Sequence, residues 1–373
     1  TVLERLRLGT QTIQDLTVAG DTLYVLATGR LYLLPLDGAE LRVESSIAAD
    51  GTGGSAARRA RVFVGGGRAY CSFIQGYSVY DVSVPANPQL LLRNATTQIG
   101  WKQIVSNGSG LGLATVDRNS TDDGPHDLSL YNLEPGGTNT QFLAVLSTPG
   151  VATAVAIYNG LAYVADGDAG LQVVNYLQYD RQGQAPTVGL SANFPLNPAQ
   201  AEEGKSVRVS ADVADDVQVR SVEFYVDGVR VAYDGNFPFE TRFVTPLRSD
   251  SKSSFVLRAR ATDTGGNSRW SDEITVNLVP DATPPRVVRR FPGAGAIVGS
   301  ANLVSGTFSE PVQPATLTAN TLKLLAAGPD GVFGTTDDSP VEGAAIEYRE
   351  DINTVFLNYG DTLPPGLYQA RFT

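Results

Sequence analysis

Three aspartates, Asp330, Asp337 and Asp338, crowd the stretch Ala327 to Ser339, AGPDGVFGTTDDS, around Gly331 and Gly334. Carboxylates this close repel one another unless they are solvated or neutralised. The two glycines let the backbone turn tightly and aim carbonyl oxygens inward. Calcium takes about six to eight such oxygens on flexible loops, so a calcium site is the expectation here. The competing reading is a turn whose aspartates accept hydrogen bonds from nearby amides. A second acidic set, Asp215, Asp216, Asp263 and Asn267, is divided between two loops. If those loops share one end of a domain, a cation between them would stiffen that end.

Other reactive residues are scarce. His126, the single histidine, sits in the loop Asp122-Asp-Gly-Pro-His-Asp127. Acyl-transfer triads and histidine zinc sites need a histidine held on a rigid element beside its partners, so His126 reads as a solvated loop residue. Cys71, the single cysteine, lies in a strand-like run with Tyr70 and Phe73. It excludes an intrachain disulfide and a cysteine metal site, and reads as a buried, inert thiol. Glu223 and Glu310 fall in strand-like runs and form no defensible acid pair of the kind a glycosidase holds at about 5 to 10 Å. Gly65-Gly-Gly67 lies between strands, not ahead of a helix, and reads as a turn. No catalytic residue is expected, no cofactor other than calcium, and no hydrolase activity.

The chain that must position these residues has 373 amino acids, with 42% apolar and 18% charged residues, ordinary values for globular domains. Glycine (39) and proline (21) are plentiful and long helix-period stretches are missing, which favours short strands and tight turns. The net charge of −11 without a basic stripe argues against nucleic acid as a partner. No apolar run is long enough to span a bilayer, and no signal peptide is visible. The chain starts at Thr1 and has no methionine, which points to a processed form or a fragment. Sequons at Asn94, Asn107 and Asn119 read as chance matches if the source is bacterial.

Residues 1–180 repeat. The segments Leu23-Tyr-Val25, Ala69-Tyr-Cys71, Leu111-Gly-Leu113 and Ala162-Tyr-Val164 are equivalent, with anchors Tyr24, Tyr70, Leu113 and Tyr163 spaced 46, 43 and 50 residues apart. Each is followed by a further apolar run: Leu31–Leu34, Tyr77–Tyr80, Leu128–Tyr131 and Leu171–Val174. Outer strands are expected at Leu41–Val43, Gln89–Leu92 and Phe142–Val145. A period of about 40 to 50 residues with several strands per unit is that of a β-propeller blade. The phrases GYSVYDVSVPANPQLL and LAYVADGDAGLQVVN resemble the LVIVD repeat, found in propeller modules of secreted and surface proteins of bacteria and archaea. The third copy departs from it by an insertion, Asp117 to Asp127. Val2–Leu8 reads as an outer strand without a preceding blade, and the fourth copy lacks an outer strand. Two readings stay open: the segment closes on itself as four blades, or further blades complete it.

Past a polar linker, Asp180–Gln184, the pattern changes. Strand runs are expected at Ser206–Val213, Val219–Val226, Val229–Tyr233, Phe239–Val244, Phe255–Ala261 and Glu273–Leu278, with turns about every ten residues as in an antiparallel sandwich. Asp227-Gly228 is a two-residue hairpin turn. VRSVEFYVDGVRVAYDGNFPFE and RARATDTGGNS resemble a bacterial Ig-like domain, a family that builds stalks and adhesive surface proteins. After the stiff linker Asp281–Pro285, the phrase Phe308-Ser-Glu-Pro-Val312 resembles a different bacterial Ig-like family. That family carries one strand more than this chain does, which implies a cut C-terminus.

The expectation is thus an all-β chain: a β-propeller-like module of at least four blades (1–180) and two Ig-like β-sandwiches (186–280 and 281–373). The resemblances imply a non-enzymatic extracellular or cell-surface protein with structural, adhesive or assembly roles, the propeller binding and the sandwiches acting as spacers. Partners would be other surface or matrix proteins, copies of the same chain, or polysaccharide. The alternative is a non-catalytic accessory region of a large secreted enzyme.

Overall fold

The computed structural model describes residues 5–36, 41–52, 60–117, 126–134, 136–177 and 180–372. Four antiparallel meanders come first. Blade 1 is β1 (Ile13–Ala19), β2 (Thr22–Ala27), β3 (Gly29–Pro35) and β4 (Ser45–Ala49). Blade 2 is β5 (Val62–Gly65), β6 (Arg68–Phe73), β7 (Gly76–Asp81) and β8 (Gln89–Ala95). Blade 3 is β9 (Trp101–Ser106), β10 (Leu111–Val116), β11 (Asp127–Asn132) and β12 (Gln141–Leu146). Blade 4 has three strands, β13 (Ala154–Tyr158), β14 (Leu161–Ala165) and β15 (Leu171–Val174).

Alternation drives the stacking, because successive strand residues point to opposite faces. Tyr24, Leu26, Leu31 and Leu33 of blade 1 meet Val62, Val64 and Cys71 of blade 2. Tyr77 and Val79 of blade 2 meet Trp101, Ile104 and Tyr131 of blade 3. Leu113 and Leu128 of blade 3 meet Val155, Ile157 and Val164 of blade 4. The turns obey simple chemistry: Asn159 and Gly160 join β13 to β14 with φ of 51° and 78°, the left-handed pair that a tight hairpin needs.

Two expectations need correction. The outer strand of blade 1 is Ser45–Ala49, not Leu41–Val43, and it pairs with Gly29–Leu33. Ala49 enters the cluster between blades 1 and 2 with Ile47 at its edge, a place where Arg42 would have to bury a charge. Arg5–Leu8 form no strand, and Val2–Glu4 lie outside the described residues, as does most of the 117–127 insertion. Asn107 is buried, and its Oδ1 accepts the Ser109 and Leu111 amides, so that sequon is a structural turn.

The next segment is a two-sheet sandwich. Strands β16 (Thr187–Ala192), β17 (Gln200–Glu202), β18 (Ser206–Ala214), β19 (Val219–Val226) and β20 (Val229–Asp234) come first. Strands β21 (Glu240–Val244), β22 (Ser254–Asp263), β23 (Ser268–Trp270) and β24 (Ile274–Val279) follow. One sheet runs β16-β18-β21, and the other β17-β24-β22-β19-β20, with β23 on β22. Phe224, Phe255, Leu257 and Val276 fill the core. On the outer side Glu223 is nearly buried between Arg230 and Arg260. Burial raises its carboxyl, but hydrogen bonds from both arginines outweigh this and hold it below the usual range.

The propeller and this sandwich belong to one compact unit, residues 8–35 and 42–281. The second unit contains Ala282 onward. Its strands are β25 (Val287–Phe291), β26 (Leu303–Phe308), β27 (Leu322–Ala326), β28 (Ser339–Pro340), β29 (Ala345–Arg349), β30 (Thr354–Asn358) and β31 (Tyr368–Phe372). They form sheets β25-β26-β30-β29 and β28-β27-β31 around Val304, Leu322, Val355 and Leu357.

Candidate functional site

Strand order assigns each propeller loop to one of two ends. In an antiparallel meander the first-to-second-strand turns all emerge at one end, while the second-to-third turns and the links to the next blade emerge at the other. The first end is occupied by the sandwich. Its loop between β20 and β21 carries Phe237, whose ring lies over three glycines. A Cβ on Gly65 would come within 2.5 Å of that ring, one on Gly108 within 2.4 Å, and one on Gly66 within 3.1 Å. The turns of blades 2 and 3 thus form a glycine cradle for one phenylalanine.

The loop is shaped before it docks. Asp234 Oδ1 accepts the Asn236 amide at 2.9 Å, and Oδ2 accepts the Glu240 amide at 3.0 Å. Burial pushes the Asp234 carboxyl above its ordinary value, against the pull of those two amides. Blades 1 and 4 hold the flanks. Asp21 in the first turn of blade 1 pairs with Arg208 and Arg242, and the Gly20 amide donates to Glu240 at 3.1 Å. In blade 4 the Asn159 amide donates to the Gly235 carbonyl at 2.9 Å, and Tyr233 donates to the Asn159 side chain. Tyr176, at the exit of blade 4, donates to the buried Gln218 at 2.9 Å.

The connection between the two domains is tied down as well. Asp180 is buried; its Oδ1 accepts the Gln182 amide at 2.8 Å and its Oδ2 accepts Asn267 Nδ2 at 3.2 Å. Asn267 Nδ2 also donates to Asp263 at 3.0 Å. The loops of Asp215 and Asn267 therefore share the end that faces the propeller, and the Thr264 amide donates to the Gln218 carbonyl at 3.2 Å. Asp215 uses Oδ2 on the Val217 and Gln218 amides. Burial, then the charges of Asp263 and Asp216, raise its carboxyl above the ordinary value despite those amides. Asp216 is exposed.

In the second unit, Asp330 accepts the Val332 amide at 2.8 Å, Asp338 accepts the Gly334 amide at 2.6 Å, and Asp337 accepts the Thr335 hydroxyl at 2.6 Å. The Thr335 bond comes first among the effects that lower the Asp337 carboxyl. Each aspartate staples the turn. Among the described residues no group of three or more histidine, cysteine or acidic side chains is placed to hold a metal ion.

The other reactive candidates are buried. Cys71 is buried in β6, and burial pushes its thiol far above the ordinary value. His126, expected as a solvated loop residue, is instead buried, with Nδ1 3.4 Å from Asp127 but without a hydrogen-bond partner, and its carbonyl accepts the Ser129 hydroxyl. Histidine and serine thus meet through the backbone, not through a nucleophile–base bond.

Among the described residues, the hydrogen bonds that join this sandwich to the propeller lie at the first end. The loops of the second end are pinned from below. Thr52 accepts the Gly29 amide and donates to the Ala49 carbonyl, Trp101 donates to Thr96, and Asp166 accepts from Thr148 and the Gly150 amide. Lys102 reaches from blade 3 to the Ala152 carbonyl at 2.8 Å while paired with Asp117 at 2.6 Å. Ile99 and Val151, in the links entering blades 3 and 4, stand exposed there.

Comparison with known proteins adds family assignments for two segments. Residues 149–175 match the LVIVD repeat and residues 186–259 match the bacterial Ig domain. The comparison with curated protein sequences gave no significant match. Among solved structures, the chain is similar to the fibronectin(III)-like modules of Clostridium thermocellum CbhA. The identity is 18%, the TM-score 0.22, and the alignment covers 48% of this chain and 94% of that one. It is similar to PorZ of Porphyromonas gingivalis, a surface component of the type-IX secretion system, at 12% identity and TM-score 0.32. That alignment covers 72% of this chain and 39% of PorZ. It is also similar to the WD40 domain of fission-yeast SCAP, at 10% identity, TM-score 0.30, and 80% and 83% coverage. One LVIVD repeat, at residues 149–175, and one bacterial Ig domain, at residues 186–259, thus adjoin in an all-β chain of antiparallel meanders and sandwich sheets.

Proposed function

We propose that the chain is a non-enzymatic module of an extracellular or cell-surface protein, in which the propeller presents a binding face and the sandwiches space and orient it. The capping of one propeller end carries this reading. Phe237 and the four first turns are committed to the sandwich, so a partner reaches the propeller from the opposite end. That end has pinned loops with exposed apolar tips at Ile99 and Val151, a pre-ordered surface that loses little entropy on contact. The burial of His126, with no nucleophile hydrogen-bonded to its Nδ1, and the raised pKa of the buried Cys71 support a binding role over catalysis. The bacterial Ig match supports the surface setting. Partners of this face are other surface or matrix proteins, or polysaccharide. This reading does not require calcium: Asp330, Asp337 and Asp338 each accept a bond within their turn, while Oδ1 of Asp215 and Oδ1 of Asp338 are buried without a hydrogen-bond partner.

The test is an array of immobilised matrix proteins and polysaccharides, probed with the wild type, with an Ile99→Glu/Val151→Glu variant and with Leu247→Glu on the sandwich surface. Binding is expected to survive Leu247→Glu and to be lost with the paired substitution. Binding that persists in the paired variant, or mass-spectrometric detection of product from any array component, would overturn the proposal.

A further inference from the structure

The repeat allows the environment of each blade face to be compared position by position. The ladders place Leu33, Val79, Leu130 and Val173 opposite the anchors Tyr24, Tyr70, Leu113 and Tyr163. Two residues earlier stand Leu31, Tyr77, Leu128 and Leu171. In blades 1 to 3 these positions pack against the following blade. After blade 4 the chain enters the sandwich instead of a further blade, and Leu171 is 67% and Val173 55% exposed.

Blade 1 shows the reverse defect. Leu16 is equivalent to Val62, Ile104 and Val155, and Val18 to Val64, Ser106 and Ile157, by their partners on the second strands. All six counterparts are buried, whereas Leu16 is 59% and Val18 54% exposed. Val25 and Leu34 on the same face are covered, so the opening is along the inner strand. The inner strands β1, β5, β9 and β13 pack in chain order, and β13 shares no comparable packing with β1. The four blades form an open arc.

The two open faces are the two halves of one recurring interface, seen three times inside the chain. We propose that a second copy of this chain closes the ring. Blade 4 of each copy stacks on blade 1 of the other about a two-fold axis, giving a ring of eight blades. Such an arrangement buries both faces in both copies and leaves no unfilled blade position, the closure that two-fold symmetry provides. Each sandwich caps the four turns of its own half, so the capping already described is kept. The outer edge of β15, which pairs with β14 alone among the described strands, stays at the rim.

Sedimentation velocity across a concentration series tests this on the whole chain. A species of twice the 39.5 kDa of one chain is expected. Val173→Asp and Leu16→Lys each place one charge in both contacts, so each variant alone is expected to sediment as a monomer with unchanged circular dichroism. Mixing the two restores one wild-type contact and makes the other an oppositely charged pair, so the dimer is expected to return. A wild type that stays monomeric to its solubility limit, a dimer that survives either substitution, or a mixture that stays monomeric would overturn the proposal.

Discussion

Gly65→Ala is expected to lift the bacterial Ig domain off the propeller. The added carbon would sit 2.5 Å from Cε1 and 3.0 Å from Cδ1 of Phe237, closer than real carbon contacts allow. Gly65 has no left-handed φ, so the backbone itself accepts alanine and the effect isolates the contact. Overpacking of this kind costs about 1–3 kcal/mol, and the ring cannot retreat without leaving Gly66 and Gly108. The measurement is thermal unfolding combined with trypsin cleavage at Arg181, in the linker that docking holds in place. A lower Tm and rapid cleavage are expected. Gly299→Ala, with open space around its Cβ, is the control. Wild-type Tm and linker protection in Gly65→Ala would mean that Phe237 does not seat as described.

A larger loss is expected from Trp101→Ala. Trp101 is almost fully buried, with Tyr77 and Tyr131 each 5.5 Å away between ring centroids, and its indole N–H donates to Thr96 at 3.1 Å. It lies where blades 2 and 3 meet, so truncation removes packing from both and leaves a cavity. Large aromatic truncations of this kind cost about 3–5 kcal/mol. Trp270→Ala is the comparison. Trp270 is 38% exposed and stacks on Tyr225 and Arg258 at the sandwich surface, so about 1 kcal/mol is expected there, the scale of an exposed aromatic or cation–π pair. Urea unfolding of the three proteins gives both values. Equal losses for the two tryptophans would contradict the inter-blade packing.

The blades were legible because two signals agree at each: period-two alternation, and turn residues such as Asn159-Gly160 that adopt left-handed φ readily. Six strands of the first sandwich followed from the same grammar around Asp227-Gly228, whereas Thr187–Ala192, Gln200–Glu202 and Ser268–Trp270 were not foreseen. What sequence did not reveal depends on partners far along the chain. Ser45–Ala49 is small and half polar, and what holds it as a strand is its ladder to Gly29–Leu33 and the Tyr80 hydroxyl bond to the Ala48 carbonyl, partners that lie elsewhere in the chain. Phe237 sits in NFPFE, which reads as the edge of a strand, and its glycine cradle belongs to other repeats. Asp180–Gln184 reads as a loose polar linker because composition cannot show that Asn267 holds Asp180. The aspartates at 330–338 were ambiguous for a physical reason: a metal cage and a stapled turn both need carboxylates close to tightly turned backbone.

Calorimetry of the whole chain tests most directly whether the propeller and the Ig domain form one body. At about 0.7 kcal/mol per residue, residues 8–281 melting together should absorb on the order of 190 kcal/mol. Propeller and sandwich melting apart should give on the order of 120 and 65 kcal/mol. The expected result is one large transition with equal calorimetric and van't Hoff enthalpies, a smaller one for the domain after Ala282, and a split of the large transition in Phe237→Ala. Separate propeller and sandwich transitions already in the wild type, left unchanged by Phe237→Ala, would contradict the joint.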